Sequence, residues 1–198
     1  MKLGKLLLAI VGATVLLGAL VSSASAGRLS NSSLTLNATY ARMDFRGGLG
    51  TVECEVITNE TLHTRTIAKV TLLLMGYITA ANVNRCVRGG ATFLRDTLPW
   101  HVRYSSFAGT LPNITGIAKR VIGFSLRATE PVFGISCLSR TTPEQPLIQT
   151  TNLTGGTITT LVVGGSISCN PGSILSSISG STPTVVDASG ARVTITLI

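Results

Sequence analysis

Apolar and polar residues alternate, one by one, in several separate stretches of this chain. Leu34, Leu36, Ala38 and Tyr40 are separated by single polar residues, and residues 193–197 repeat the pattern. A period of two is what an antiparallel strand needs when one face is buried and the other meets water. A helix needs a period near 3.6, and no stretch sustains one. The alternation therefore predicts strands with one buried face.

Pairs of turn-forming residues separate the alternating stretches. Glycine and proline interrupt regular structure, so each pair marks a turn or a break. The pairs are Gly47-Gly48, Gly89-Gly90, Gly155-Gly156, Gly164-Gly165 and Pro171-Gly172. Many short strands with such turns predict an all-β, antiparallel fold, either a β-sandwich or a flattened barrel, of about eight to twelve strands.

The start of the chain predicts export. Lys2 and Lys5 precede an apolar stretch, and the small residues Ala24–Ala26 form a cleavage motif. The apolar stretch is interrupted by glycines, whereas about 20 uninterrupted apolar residues are usual for a membrane span. We therefore expect a signal peptide over residues 1–26. We expect residues 27–198 to form a single secreted β-domain, with no membrane span once the leader is removed.

The charge of the chain is basic but dispersed. There are 16 basic and 8 acidic residues, and loss of Lys2 and Lys5 with the leader lowers the net charge from +8 to +6. The basic residues extend from Arg28 to Arg192 without the runs that are typical of nucleic-acid-binding tails. We therefore expect no nucleic-acid partner. Attraction to anionic polymers or lipid head groups is expected to be weak.

The four cysteines predict disulfides. An even number of cysteines in an exported chain, with no C-x-x-C motif, is typical of a disulfide framework. Four cysteines allow three pairings, but Cys54 and Cys86 are 32 positions apart, and so are Cys137 and Cys169. This equality favours the two consecutive bridges, Cys54–Cys86 and Cys137–Cys169. Both histidines lie away from the cysteines in sequence, so no metal is expected.

One stretch, DTLPWHVRYSSF, holds the only tryptophan of the chain. If it is a strand, Trp100, Val102 and Tyr104 share one face, and His101 and Arg103 take the other. The first face is predicted to belong to the core, where a buried tryptophan contributes strongly to packing. The second face is the candidate ligand-binding face, with His101 and Arg103 as its residues.

Motifs of catalysis and cofactor binding are missing from the sequence. It has no G-x-S-x-G elbow, no phosphate-cradling or dinucleotide loop and no calcium loop. The sequence therefore predicts no cofactor and favours a protein that is not an enzyme. The alternative is an extracellular hydrolase that uses His101 as its base, with Asp96 and a serine brought to it by the fold.

Three segments carry a resemblance to a known group of proteins. LPWHVRYSSFAGTLPNIT, GFSLRATEPVFGISCL and the closing VTITLI resemble functionally uncharacterised exported proteins of high-GC Gram-positive bacteria, which share a leader and one cysteine-bridged β-domain. The resemblance implies consecutive cysteine pairing and no particular ligand. It also implies that the N-x-[ST] motifs, which are typical of exposed loops, carry no sugar. These motifs begin at Asn31, Asn37, Asn59, Asn113 and Asn152.

The sequence thus predicts a secreted or cell-envelope-associated protein without enzymatic activity, which has a binding or structural role. Its expected partner is a cell-wall polymer or another surface protein. A structural variant is an assembly subunit whose last strand, within residues 191–198, pairs with a neighbouring sheet edge.

Overall fold

The computed structural model describes residues 28–47, 50–110, 113–129, 136–170 and 175–198, without the side chains of residues 167–170 and 175–176. The predicted signal peptide, residues 1–26, and its cleavage site lie outside the described residues. None of the described residues belongs to a helix that is long and apolar enough to cross a membrane.

The described residues form short and long β-strands and one 3₁₀ turn, Arg95–Thr97. The strands are β1 (Arg28–Asn31), β2 (Thr35–Gly47), β3 (Gly50–Leu62), β4 (Thr66–Ala68), β5 (Leu74–Val87), β6 (Gly90–Phe93), β7 (Trp100–Thr110), β8 (Asn113–Ile122), β9 (Ser125–Thr129), β10 (Ser136–Arg140), β11 (Leu147–Thr154), β12 (Thr157–Asn170), β13 (Leu175–Thr182), β14 (Val185–Val186) and β15 (Ile195–Leu197).

The main sheet closes into a ring. Its hydrogen-bonded order is β11–β8–β7–β5–β3–β2–β13–β12, and β12 pairs back with β11. The far end of β12 also pairs with β10, which leads through β9 to β6. All of these pairs are antiparallel, so the predicted all-β antiparallel class is confirmed. The finer prediction needs correction: because a side sheet branches from β12, the ring is neither a true barrel nor a two-sheet sandwich.

A second, small sheet has the order β15–β1–β4. The alternating C-terminal segment supplies β15, as the pattern predicted, and Leu197 of β15 lies opposite Leu29 of β1. Leu29 and Ile195 are almost completely buried, so this sheet packs its apolar face against the rest of the core. The C-terminal strand is therefore part of the fold itself.

Alternation decides which side chains enter the ring. Leu36, Ala38 and Tyr40 of β2 are buried, although Leu34, just before the strand, is 40% exposed. In β3 every second residue is buried over the whole strand. These inward residues are Val52, Cys54, Val56, Thr58, Glu60 and Leu62. The core is thus apolar at most positions but includes polar side chains, Thr58 and Glu60, towards the C-terminal end of β3.

An aromatic cluster joins the ring to the side sheet. The Trp100 ring of β7 lies 5.3 Å from that of Phe93 in β6 and 4.9 Å from that of Phe124 (centroid distances). The Trp100 indole donates a hydrogen bond to the Thr97 hydroxyl at 2.9 Å. A buried indole N–H needs such a partner, so the 3₁₀ turn before β7 completes the packing of the tryptophan.

The disulfide prediction is confirmed for one of the two bridges. Cys54 of β3 and Cys86 of β5 are directly opposite in the strand register and form a disulfide with a Cα–Cα distance of 4.0 Å. The second predicted bridge, Cys137–Cys169, involves the Cys169 side chain, which lies outside the described residues. Only the first of the two disulfides is therefore shown, and the second stays a prediction.

Candidate functional site

The two predicted site residues lie where the alternation placed them. Trp100, Val102 and Tyr104 point into the core, with 1%, 0% and 3% exposure. His101 and Arg103 lie on the opposite, outer face of β7, His101 exposed and Arg103 half-buried. The core assignment of the first face is confirmed. The outer face is therefore the one from which a site can be built.

His101 belongs to a row of rings on the outer surface. Tyr77 of β5 is its register partner, and the two rings are 5.3 Å apart, edge to face. The Tyr77 ring lies 4.9 Å from the ring of His63, which follows β3. Sequence analysis missed Tyr77 and His63 because their neighbourhood depends on which strands pair. The half-buried Tyr77 ring therefore lies between the rings of two exposed histidines, His63 and His101.

The outer face does not assemble a hydrolytic site around His101. In the described part of the chain, no carboxylate and no serine forms a hydrogen bond with its imidazole; its contact is the Tyr77 ring. Asp96 lies in the 3₁₀ turn before β7, exposed and without a hydrogen bond to His101. The geometry therefore gives no support to a nucleophile and base pair at this position.

Two arginines occupy paired positions on the outer surface, on the neighbouring strands β7 and β8. Arg103 of β7 and Arg120 of β8 are register partners. Arg103 Nη1 donates to the Leu72 carbonyl at 3.0 Å, and Arg120 Nη2 donates to the Pro143 carbonyl at 3.0 Å. Neither forms a salt bridge within the described residues. Like charges directly opposite on a sheet repel each other, so this arginine pair concentrates positive charge.

The charge of Arg120 acts electrostatically on one nearby acidic group, the carboxyl of Glu144. The pKa of the exposed Glu144 carboxyl is lowered first by a hydrogen bond from Thr142, then by a backbone hydrogen bond, and to a smaller extent by the charge of Arg120. Glu144 forms no salt bridge with Arg120. Within the described residues, Arg103 and Arg120 therefore have no acidic group as a direct ion-pair partner.

The turn between β4 and β5 lies beside the arginine pair. We name residues 69–73 the leucine turn. Its backbone is held against β7, since Leu72 N donates to the Tyr104 carbonyl at 2.8 Å and Tyr104 N donates to the Leu73 carbonyl at 2.9 Å. Leu72 has a φ of 68°, in the left-handed region that bulky residues rarely adopt. The turn presents Val70, Leu72 and Leu73 to solvent, with 58%, 44% and 45% exposure.

The interior of the ring holds a polar layer that a ligand cannot reach. Lys119 Nζ donates to both Glu60 carboxylate oxygens, at 2.8 and 2.9 Å, and both side chains are only 4% exposed. The pKa of Tyr40 is raised mainly by burial, and Tyr40 and Gln149 line the same interior cavity. Since Lys119 and Glu60 belong to strands that are not neighbours in the ring, their ion pair links opposite walls.

A small cavity lies next to this layer. Its volume is about 20 Å³, and Tyr40, Trp100, Phe124 and Gln149 are among its lining residues. This is space for about one water molecule, whereas sites for small organic ligands are usually hundreds of Å³ in size. The cavity therefore cannot serve as a substrate site.

The charged groups on β2 and β3, together with Arg88 after β5, form a cluster of ion pairs. Arg42 and Arg46 form salt bridges with Asp44, at 2.7 and 3.0 Å, while Arg88 pairs with Glu53 at 3.1 Å. The hydrogen bond from the Arg42 guanidinium is the main reason why the pKa of Asp44 is lowered. This cluster differs from the arginine pair, because each of its cations has an acidic partner.

The N-x-[ST] motifs do not lie in exposed loops as predicted. Asn31 is 2% exposed within β1. Asn37, Asn59 and Asn152 are half-buried within strands, and Asn113 is exposed at the first position of β8. The motif itself carries no information on whether its asparagine pairs in a sheet, so the structural prediction was wrong.

Metal ligands do not converge in the described segments: no group of three or more His, Cys, Asp or Glu side chains there could hold an ion.

In comparisons with known proteins, no family model matches the chain, and neither a curated protein nor a solved structure matches it.

Proposed function

We propose that this chain is a non-enzymatic protein of the cell exterior that binds an anionic surface of the cell envelope through the outer face of β7 and β8. One observation carries the proposal: Arg103 and Arg120 stand opposite each other without a salt bridge in the described structure. An anionic group on this face would reduce the repulsion between the two neighbouring cations and accept charge-assisted hydrogen bonds from their remaining N–H groups.

The surroundings of the pair support binding over catalysis. His101 has no acid or hydroxyl partner among the described residues, and the described cavity has space for only about one water molecule. The Cys54–Cys86 disulfide supports an exported protein, because such crosslinks form and persist in oxidising compartments. A binding surface on a crosslinked β-fold agrees with all three observations.

We also infer that Cys137 and Cys169 form the second bridge. The backbones of β10 and β12 are paired, with Ser139 opposite Cys169. No described cysteine is a free thiol, and Cys54 and Cys86 already bond to each other. The bridge would tie the side sheet to the ring at the point where the two separate.

Retention of the mature protein on purified cell envelopes tests the proposed function. We expect the wild type to bind at low ionic strength and to be released by salt, because exposed charges are screened. The double variant Arg103→Gln, Arg120→Gln should bind at least about tenfold more weakly, since it loses two charge-assisted contacts.

The matched control is the double variant Arg85→Gln, Arg192→Gln. Both arginines are exposed, and neither forms a salt bridge in the described structure. This control removes the same charge and should keep wild-type retention. Equal retention of both double variants would contradict the proposal. Turnover of an envelope substrate that disappears in His101→Ala would replace it with the hydrolase alternative.

A further inference from the structure

We propose that the anionic surface is a lipid membrane, and that the leucine turn enters its head-group layer while the arginine pair contacts lipid phosphates. The inference rests on the proposed function and adds the identity of the surface. It is carried by the exposed aliphatic side chains of the turn, by its backbone and by the cations next to it.

The first observation is the clustering of exposed aliphatic side chains. Val70, Leu72 and Leu73 lie within four consecutive positions and are each about half exposed, at 58%, 44% and 45%. A single exposed aliphatic residue is ordinary, but a group of them on one turn leaves apolar area in water at a free-energy cost. An apolar environment would recover that free energy.

The second observation is that the backbone is held in the conformation that presents these side chains. Leu72 adopts a left-handed φ of 68°, which costs about 1 kcal/mol for a residue with a Cβ. The Thr71 hydroxyl donates to the Ser105 carbonyl at 3.3 Å, and Arg103 Nη1 donates to the Leu72 carbonyl. A relaxed turn of Gly or Asn would serve a connection alone, so the strained leucine indicates a role at the surface.

The third observation is the charge around the turn. Arg103 contacts the turn directly and faces Arg120. Lys69, the first residue of the turn, lies with its ammonium 4.9 Å from the centre of the Phe107 ring. None of these three cations forms a salt bridge in the part of the chain described. Each basic residue near an anionic membrane contributes about 1 kcal/mol.

The combination distinguishes a lipid surface from a polymer. Aliphatic side chains bounded by cations match the boundary between acyl chains and phosphates, where apolar and charged groups of the protein are satisfied together. Ile148, 40% exposed, is the register partner of Arg120 on β11, so an apolar side chain also lies on the other side of the arginine pair. A wall polymer would use the cations but would leave the leucines in water.

Vesicle binding tests the inference with one informative variant. We expect the mature protein to sediment with phosphatidylglycerol-containing vesicles but not with vesicles of phosphatidylcholine alone. Leu72→Asn should bind about tenfold more weakly, because it removes apolar area. Asparagine tolerates the left-handed region better than leucine, so the melting temperature of this variant should be unchanged or higher, which separates loss of binding from loss of folding.

The control variant is Val87→Asn, at an exposed residue at the other end of β5, which should bind like the wild type. Vesicle binding by Leu72→Asn equal to the wild type would overturn the inference while the proposed function stands. Retention of the mature protein on wall polymer without binding to vesicles would likewise overturn the inference while the proposed function stands. Self-association that Leu72→Asn abolishes, without vesicle binding, would assign the turn to a second copy of the chain. If Arg103→Gln, Arg120→Gln still binds envelopes normally, the proposed function itself fails.

Discussion

One ion pair among the described residues crosses the interior of the ring. Lys119 extends from β8 to Glu60 of β3, and in the ring order β7 and β5 separate these strands. Removing two charges from water costs several kcal/mol, which good geometry only just offsets. Tyr40 of β2 and Gln149 of β11 meet at an interior cavity, although their strands are not neighbours in the ring. These side chains specify the distance and alignment of opposite walls more than they add net stability.

Replacing one partner of this ion pair should lower the free energy of unfolding strongly, whereas replacing both partners by apolar residues should lower it much less. Lys119→Met leaves the Glu60 carboxylate buried and unpaired, and we expect it to lower the free energy of unfolding by about 3–5 kcal/mol. The double variant Lys119→Met, Glu60→Leu should recover most of that loss. Chemical denaturation of the wild type, both single variants and the double variant measures the coupling. Additive losses would contradict this interpretation.

Asp44 should make stability depend on acid pH. Arg42 and Arg46 lower the folded-state pKa of this carboxyl below its unfolded value. The stabilisation is therefore complete above the unfolded pKa, about 3.9, and is lost as the pH falls through the folded value. Asp44→Asn should destabilise the protein at neutral pH, and the difference from the wild type should shrink as the pH falls below the unfolded pKa and through the lower folded value.

Thermal unfolding over this pH range provides the check. Asp96→Asn is the control, because Asp96 is exposed and has no hydrogen bond or ion pair among the described contacts. A difference between Asp44→Asn and the wild type that stays constant down to acid pH would show that the carboxylate charge is not responsible.

At the level of single strands, the start of β5 requires a glycine, Gly76, because β3 approaches it closely. Gly76 lies next to a register shift in the pairing with β7 and opposite Leu62 of β3. A Cβ at this position would come within 2.2 Å of the Thr61 carbonyl oxygen and 2.8 Å of the Leu62 Cα. Both are backbone atoms, which cannot rotate away. The close approach of β3 and β5 beside the leucine turn therefore requires glycine.

Gly76→Ala should destabilise the protein by about 3 kcal/mol, because the overpacked strands have to separate. Gly90→Ala in β6 is the matched control: no atom lies within 4 Å of the position that its Cβ would take. We expect the control to stay within about 0.5 kcal/mol of the wild type. Denaturant midpoints measure both, and similar values would show that β3 and β5 can separate without cost.

Element identity was predictable because alternation is local. The buried face of β7, with Trp100 and Val102, follows from a period of two alone. The functional face was predictable only in part. His101 and Arg103 were found on the outer side, whereas Tyr77 and Arg120 join them through strand pairing. The leucine turn carries no periodic signal, and only its backbone geometry distinguishes it from a buried apolar stretch.

At the scale of the whole molecule, ring closure depends on contacts between distant parts of the chain. β2 pairs with β13, and β12 joins β13 to β11. The Cys54–Cys86 disulfide lies within the β3–β5 pair, on one side of that ring. By constraining the unfolded chain, a crosslink of this loop length stabilises by about 3.5 kcal/mol in the chain-entropy model.

Replacing Cys54 and Cys86 by alanine should lower the free energy of unfolding by about 3.5 kcal/mol. Peptide mapping of the mature protein without reduction should recover this pair and the pair Cys137–Cys169. As the control, mapping after reduction should recover the peptides of both disulfides as separate, unlinked peptides. Recovery of Cys137 linked to Cys54 or Cys86, or of Cys169 as a free thiol, would contradict the consecutive pairing.

The sequence by itself determined the all-β class, the inward faces and the cysteine spacing, because each depends on residues a few positions apart or on simple counting. The predicted number of strands, eight to twelve, was too low, since the described residues alone form 15. Only the tertiary structure decided which strands are neighbours, and with it the closed ring, its side sheet, the Lys119–Glu60 link and the meeting of Arg103 with Arg120. The physical reason is that any alternating strand can pair with many others of the same pattern. The choice depends on how all the buried side chains fit together at once.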